Sequence, residues 1–587
     1  MYDMIKNSKE VSSQDIIKRQ LLLANFDEEH IKSFNNTERV TFLENFYKYC
    51  KAHESNSNIN WSDWKKALNT TSNSFSPVTS IIKNTSNYIK NPRTPTNLYV
   101  ISQDIMTSSE RTMIATLQGL VNNHCSFQIY TLNSSQPDYQ IWLDDLKDNY
   151  GILYETISDP WELLDIFRNQ VDGYVLYNNE SLKDPSINNA CSLASLNNSI
   201  AIDEAIQDKV KDHGITNIKG DCRNTDMNWA YNNLWNSGLN HSTIIQLSPG
   251  KDTALRDYGI MTKSLVFYED SIGDVSLRDK IFSSMEKDSL CLGWGPDEFI
   301  NVSTASKYGV SMIAADWSYN LTVLSAFPSL PMTQKTLLNL PSKENIHYVT
   351  FIMSDGDNQQ WNLGTNYSSP KWYGSPNRGK FNLGWSLSPS LYYLAPTVFN
   401  LYYKNAAHGS TNDYFVVSPS GNGYMYPSKF DKNSLGIYIT RLNDYMKKTD
   451  EKYVAIIDDS SFNNSNLWDR FTIKPNIHGL FYLDYHRHDN YQGEIIWSNN
   501  KPIVSCRDLL WDGLESEKEL VENINNRIDS GQVDIHNSNS YTFVYVHAWS
   551  KNLSNIEEVV NKLEENQKVS IVTPEVFMEL ITKNVNH

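Results

Sequence analysis

The sequence predicts a multidomain α/β protein built on mainly parallel sheets. Three observations predict it. The chain has 587 residues, more than one hydrophobic core accommodates, and 40% of them are hydrophobic. From Asn97 onward, short apolar runs alternate with helical periodicities, the pattern of stacked β and α layers. That alternation restarts after Ser342. The organisation is therefore a helical extension and linker over 1–96, an αβ region over 97–341 and a further αβ domain over 342–587.

Within 14–26, Ile16, Ile17, Leu21, Leu22 and Leu23 recur at helical intervals, and Val40, Phe42, Leu43, Phe46 and Tyr47 repeat the pattern. The polar stretch 69–96, with Pro77, Pro92 and Pro95, reads as a linker. This appendage is either a helical cap on the main body or a surface for a protein partner. Residues 98–101 form a strand, and Thr107-Ser108-Ser109-Glu110 is a capping box. It opens a helix with Met113, Ile114, Leu117, Leu120 and Val121 on its core face. Strands follow at 127–130, 173–177 and 311–315. In the last unit the apolar runs are 348–353, 415–417, 453–457, 480–483, 503–504, 542–546 and 570–572. A helix over 556–563 is introduced by Ser554-Asn555-Ile556-Glu557, and another begins at Thr573-Pro574-Glu575, with threonine as cap and proline in the first turn.

The net charge of -17 argues against nucleic acid, which rewards basic surfaces, and against anionic membranes. No apolar run reaches the ~18 residues of a membrane helix. The N-terminus lacks a hydrophobic signal core, so the chain as given is cytoplasmic or a mature secreted form. Cys50, Cys125, Cys191, Cys222, Cys291 and Cys506 show no paired spacing, which predicts free buried thiols and neither a disulfide framework nor a zinc ribbon. No Gly-x-Ser-x-Gly elbow or phosphate-cradling loop occurs. No cofactor is expected.

Chemistry gathers at strand ends. The run 348–353 leads into Ser354-Asp355-Gly356-Asp357-Asn358, 453–457 into Asp458, 480–483 into Asp484 and 542–546 into His547. Residues 414–417 lead into a loop with Gly421, Asn422, Gly423, Tyr424 and Tyr426, flanked by Pro419 and Pro427. In parallel α/β folds such ends converge on one rim, where ligands bind. Asp355 and Asp357, with Gly356 allowing a tight turn, should push their pKa values apart. Glycoside hydrolysis needs that asymmetry, with carboxyl groups ~5–5.5 Å apart for retention or ~6.5–9.5 Å for inversion. Close sequence neighbours reach such gaps only in some conformations, so Asp458, Asp484 and Glu298 are further candidates for the partner, from other strands. Period-2 spacing puts Tyr424 and Tyr426 on one face. Trp385 and Trp549 offer rings for sugar faces, and Asn358 and Asn422 offer polar groups for sugar hydroxyls. An alternative centre is Asp484 with His486 and His488, the ligand types of a zinc set.

The segment Gly421-Asn422-Gly423-Tyr424-Met425-Tyr426-Pro427 resembles the signature of the GxGYxYP family, bacterial proteins proposed to be glycoside hydrolases. Ser354 to Asn358, Gly384-Trp385-Ser386 and Val546-His547-Ala548-Trp549-Ser550 fit the same family, as do Ala115 to Asn122 and Leu292 to Glu298. The resemblance runs from about Asn97 to the C-terminus and leaves 1–96 outside. It implies an N-terminal αβ region, a C-terminal (β/α) barrel-like, TIM-like catalytic domain and a carbohydrate substrate. The leading expectation is a glycoside hydrolase with catalytic candidates Asp355, Asp357, Asp458, Asp484, Glu298 and His547. Its substrate-binding candidates are Asn358, Trp385, Asn422, Tyr424, Tyr426 and Trp549. A metal-dependent polysaccharide deacetylase and a non-catalytic carbohydrate-binding protein are the alternatives.

Overall fold

Three small parallel sheets precede a large curled one. They are seen in a computed structural model that describes residues 92–179, 181–335 and 343–586. The expected helices at 14–26 and 40–47, Cys50 and nearly all of the linker lie outside the described residues.

The first sheet is β1 (Asn97–Ser102), β2 (Phe127–Leu132) and β3 (Leu153–Thr156), in the order β2-β1-β3. The second is β4 (Tyr174–Tyr177), β5 (Ile200–Asp203) and β6 (Ile218–Asp221), in the order β5-β4-β6. The third holds β7 (Asn240–Gln246), β8 (Ser264–Phe267), β9 (Ser289–Gly293) and β10 (Val310–Ile313), in the order β10-β9-β7-β8. Every pairing in these sheets is parallel. The helix Ser108–Asn122 starts at the expected capping box, and all five predicted core residues are buried.

The C-terminal sheet comprises β11 (His347–Met353), β12 (Leu383–Leu387), β13 (Asp413–Val417), β14 (Tyr453–Asp458), β15 (Gly479–Asp484), β16 (Ile495–Ser498), β17 (Lys501–Ser505), β18 (Asp508–Leu510), β19 (Tyr541–Val546) and β20 (Val569–Ile571). Its order is β16-β17-β15-β14-β13-β12-β11-β19-β18, with β20 added on β11. The run from β17 into β18 leaves one side of the sheet for the other. Cys506 N–H donates to Tyr482 O of β15 (2.8 Å), and Arg507 N–H donates to Phe543 O of β19 (3.1 Å). Phe481 and Phe543, on those two strands, pack edge to face with ring centres 4.8 Å apart. The sheet is thus curled and almost wholly parallel. A regular TIM barrel is not formed, because β16 runs antiparallel and β20 branches from β11.

Strands β11, β12, β13, β15 and β19 are buried along their whole length. Covering both faces of a parallel sheet removes the polar-out alternation and leaves continuous apolar runs. The strand β12 escapes that pattern because Gly384 and Ser386 interrupt it. Thr573 caps the helix Pro574–Asn584 as expected. The preceding helix, Leu553–Glu564, instead starts with Asn552, whose side chain and that of Asn555 form the capping box. Cys125 is half-buried and Cys191, Cys222, Cys291 and Cys506 are buried, all as free thiols. Among the described residues no helix is long and apolar enough to cross a membrane.

Candidate active site

At the end of β11, Ser354 N–H donates to Val546 O of β19 (2.9 Å), keeping the strands paired up to the turn. The chain then turns sharply. The left-handed conformation falls on Asp355 (φ 65°) and not on Gly356; Asp is one of the few residues besides Gly that tolerates it. Gly356 is required for a different reason. A Cβ there would lie 1.7 Å from the Ser386 carbonyl oxygen, while its N–H donates to Ser386 Oγ of β12 (2.9 Å). Asn358 N–H closes the turn on Asp355 O (3.0 Å). Asp355, Asp357 and Asn358 thereby line a cavity of about 690 Å³.

The opposite wall comes from the third sheet. After β9, Asp297 caps the helix Glu298–Lys307 by accepting from Ile300 N–H (2.9 Å), which makes Glu298 its first residue. Tyr424 Oη donates to Glu298 Oε1 (2.8 Å), and its ring lies parallel to that of Trp294 at 6.2 Å. The tyrosine loop is pinned to β10 by two backbone bonds between Tyr424 and Met312 (2.7 and 2.9 Å). That approach explains one of its glycines: a Cβ on Gly423 would meet Met312 O at 2.9 Å. The other, Gly421, takes φ 136°.

Three carboxyl groups therefore face one cavity. Burial pushes Asp357 well above the usual carboxylate range, and the negative charges of Asp355 and Glu298 push it further. Burial lifts Asp355 to about 6, against hydrogen bonds from Ser354, the Trp549 side chain and the Ala548 N–H. Glu298 is raised by burial and restrained by the Tyr424 hydroxyl, with Asp355 opposing its ionisation. His547 stacks on Trp511 (3.7 Å, 2°), and His488 covers the same indole (4.5 Å). Burial, then the nearby His488, lowers His547 to about 4, so it is neutral at neutral pH; its Nδ1 lies 2.8 Å from Ser550 Oγ. Trp361 and Trp549 pack edge to face at 5.3 Å. Asn358 Oδ1, Trp361 Nε1 and Tyr545 Oη are buried without a hydrogen-bond partner, and all three residues line the cavity. Among the described residues no lysine or arginine lines it.

Of the expected residues, Asp355, Asp357, Glu298, His547, Asn358, Tyr424 and Trp549 come together here. Five others do not, and their placement corrects the expectation. Asp458 is sealed off, accepting from Ser428 N–H (2.8 Å), Ser428 Oγ (2.7 Å) and Ser461 Oγ (2.6 Å). Asp484 is buried and accepts from Ser460 N–H (2.8 Å). Trp385 faces the core, its indole N–H donating to Asp413 Oδ1 (3.0 Å). Asn422 is buried beneath the loop against Tyr438 O (3.4 Å). Tyr426 stands behind Tyr424, buried against Phe299 and Tyr485. The zinc set is corrected too. His486 turns outward to Asp459 (3.1 Å), while His488 sits on Trp511, so the two do not converge with Asp484. Among the described residues no group of three or more His, Cys, Asp or Glu is arranged to hold a metal.

Sequence reasoning passed over Trp294, Tyr485 and Tyr545, and Gln136 from the loop after β2. Trp294 had a signal, since it stands four residues before Glu298. Gln136 had none.

The architecture is that of a multidomain α/β protein with a curled, almost wholly parallel C-terminal sheet. Four family models match in order: "GxGYxYP_N 1st domain" at 97–169, "GxGYxYP_N second domain" at 171–239, "GxGYxYP third domain" at 241–326 and "GxGYxYP putative glycoside hydrolase C-terminal domain" at 345–582. The chain belongs to the GxGYxYP family. It is also similar to the crystal structure of "a putative hydrolase from Bacteroides thetaiotaomicron VPI-5482", at 32% identity and a TM-score of 0.78, over 85% of this chain and 96% of that one. No curated protein matches the chain.

Proposed function

We propose that this protein is a glycoside hydrolase acting on an oligo- or polysaccharide, with Asp357 as general acid and Glu298 as the second carboxylate. Asp355 is the ionised neighbour whose charge helps keep Asp357 protonated. One observation carries the proposal: Asp357 and Glu298 reach the same aromatic-walled cavity from different domains, where burial and then the charges of Asp355 and Glu298 favour a proton on Asp357. In the reaction, Asp357 gives its proton to the glycosidic oxygen as the bond to the anomeric carbon breaks. Water adds at that carbon, and its proton ends on a carboxylate. The indoles of Trp294, Trp361 and Trp549 supply apolar faces for the ring, and Asn358 Oδ1 and Trp361 Nε1 supply polar contacts.

The test is a panel of aryl glycosides and neutral oligosaccharides assayed with the full chain. Asp357→Asn should lose oligosaccharide hydrolysis far more than cleavage of dinitrophenyl glycosides, whose leaving group needs no proton. Glu298→Gln should lose both. Turnover at the wild-type level in both variants would sink the proposal, and glycan binding without any turnover would favour the non-catalytic alternative.

A further inference from the structure

We infer that the substrate cleft continues past Trp317 into a second, polar cavity that takes a further uncharged sugar unit of the same chain. This rests on the carbohydrate proposal above. The second cavity, of about 360 Å³, is lined by Gln103, Arg111, Asn133, Lys251, Thr253 and Trp317, among others. It lies beyond the C-terminal ends of β1, β2 and β7, where parallel α/β sheets present their ligand sites.

Two features join the cavities. Trp317 lines both, and so does the loop 133–136: Asn133 faces the second cavity, whereas Ser135 and Gln136 face the first. Trp317 is half exposed, at 48%, as Trp549 is on the wall of the first cavity. Its position is nevertheless fixed from both sides. Its backbone N–H donates to Gln360 Oε1 (2.8 Å), on the wall of the first cavity, and the Lys251 ammonium sits 4.5 Å from its ring centre, on the wall of the second. An exposed indole held still at the meeting point of two cavities is a stacking platform for a sugar.

The second cavity's cations are already matched. Arg111 makes two hydrogen bonds to Asp252 (3.0 and 2.7 Å), and Lys251 pairs with Asp316. Among the described residues an acidic sugar finds no free cation there, and no lysine or arginine lines the first cavity. What remains is the Asp104 carboxylate, which repels an acidic sugar, and the groups of Gln103, Asn133 and Thr253. Asn133 Nδ2 donates to Gln103 Oε1 (2.9 Å) and Thr253 Oγ1 to Asp252 Oδ1 (2.8 Å), which holds these groups in place while each amide nitrogen keeps a second proton for the hydroxyls of a neutral unit.

The experiment is calorimetric titration of the full chain carrying Asp357→Asn, so that nothing is turned over. The probes are neutral cello-, xylo- and chito-oligosaccharides from two to six units and a galacturonate series. Affinity for a neutral series should rise with chain length. Trp317→Ala should remove that gain, lowering affinity for the longer members about tenfold relative to the shortest. Trp317→Phe, which keeps a ring, should retain most of it. Thermal melts of both variants check folding. The inference is overturned if affinity does not depend on length, if Trp317→Ala keeps the same gain, or if galacturonates bind as tightly as neutral chains. If no sugar binds at any length, to wild type or variant, the carbohydrate proposal itself fails and this falls with it.

Discussion

The ends of β11 and β14 carry the same sequence device, an apolar strand running directly into aspartates, and they meet opposite fates. Burial holds both Asp355 and Asp458 near a pKa of about 6, so acidity does not separate them. Hydrogen-bond partners do. Asp458 is wholly buried and takes three donors from Ser428 and Ser461. Ser428 directly follows Pro427, so the tyrosine loop closes over this carboxylate and employs it as an anchor. At β11 the facing wall comes from another domain and leaves a cavity between. Asp357 there meets charge and open space in place of donors. A strand-end carboxylate is a candidate for chemistry where the neighbouring loop does not satisfy it.

The sharpest way to break this contrast is to neutralise each end. Asp357→Asn and Glu298→Gln should lower kcat on the substrate found by panel screening by about 10²–10⁴-fold, with thermal melting little changed. Asp458→Ala should do the reverse. It orphans three buried donors and should cost about 1–3 kcal/mol in urea unfolding, with kcat of the folded protein unchanged. Loss of activity in Asp458→Ala at full stability would mean that the two ends are not distinct.

Asp355→Asn sharpens the comparison through pH. The folded pKa of about 6 lies above the ordinary aspartate value of 3.8. Protonated Asp355 therefore favours the fold, and that stability is fully present below pH ~4 and lost as pH rises to ~6. Above that range the wild type carries an ionised, largely buried carboxylate, and Asn does not. The variant should thus be more stable than wild type by about 1–2 kcal/mol at pH 8, a figure discounted for partial exposure, and equal to it near pH 4. A constant difference across pH would contradict the assignment.

Tyr424→Phe should have the smallest effect. It removes the hydroxyl that restrains the Glu298 pKa. If Glu298 acts ionised, the acid limb of the kcat/KM profile should move up by about 0.7 in pH, equivalent to about 1 kcal/mol. An unmoved limb would show that Tyr424 serves packing alone.

Much of the fold was legible because burial on both faces writes parallel strands as plain apolar runs. Residues 348–353, 453–457 and 542–546 each mark a strand to within a residue. The strand at Leu383–Leu387 was not legible, since its Gly384 answers to a neighbour: a Cβ there would lie 2.6 Å from Pro574. Asp355, Asp357 and Glu298 were on the page as candidates, and so were Asp458, Asp484 and Trp385, with nothing in the chain to rank them.

By itself, then, the sequence determined which segments become strands and helices, the family signature and the list of ionisable groups at strand ends, because periodicity and capping are local properties of the chain. Only the tertiary structure decided which of those groups face a cavity. Donor supply and enclosure come from residues far away in sequence, as when Tyr424 of one domain holds Glu298 of another, 126 positions apart.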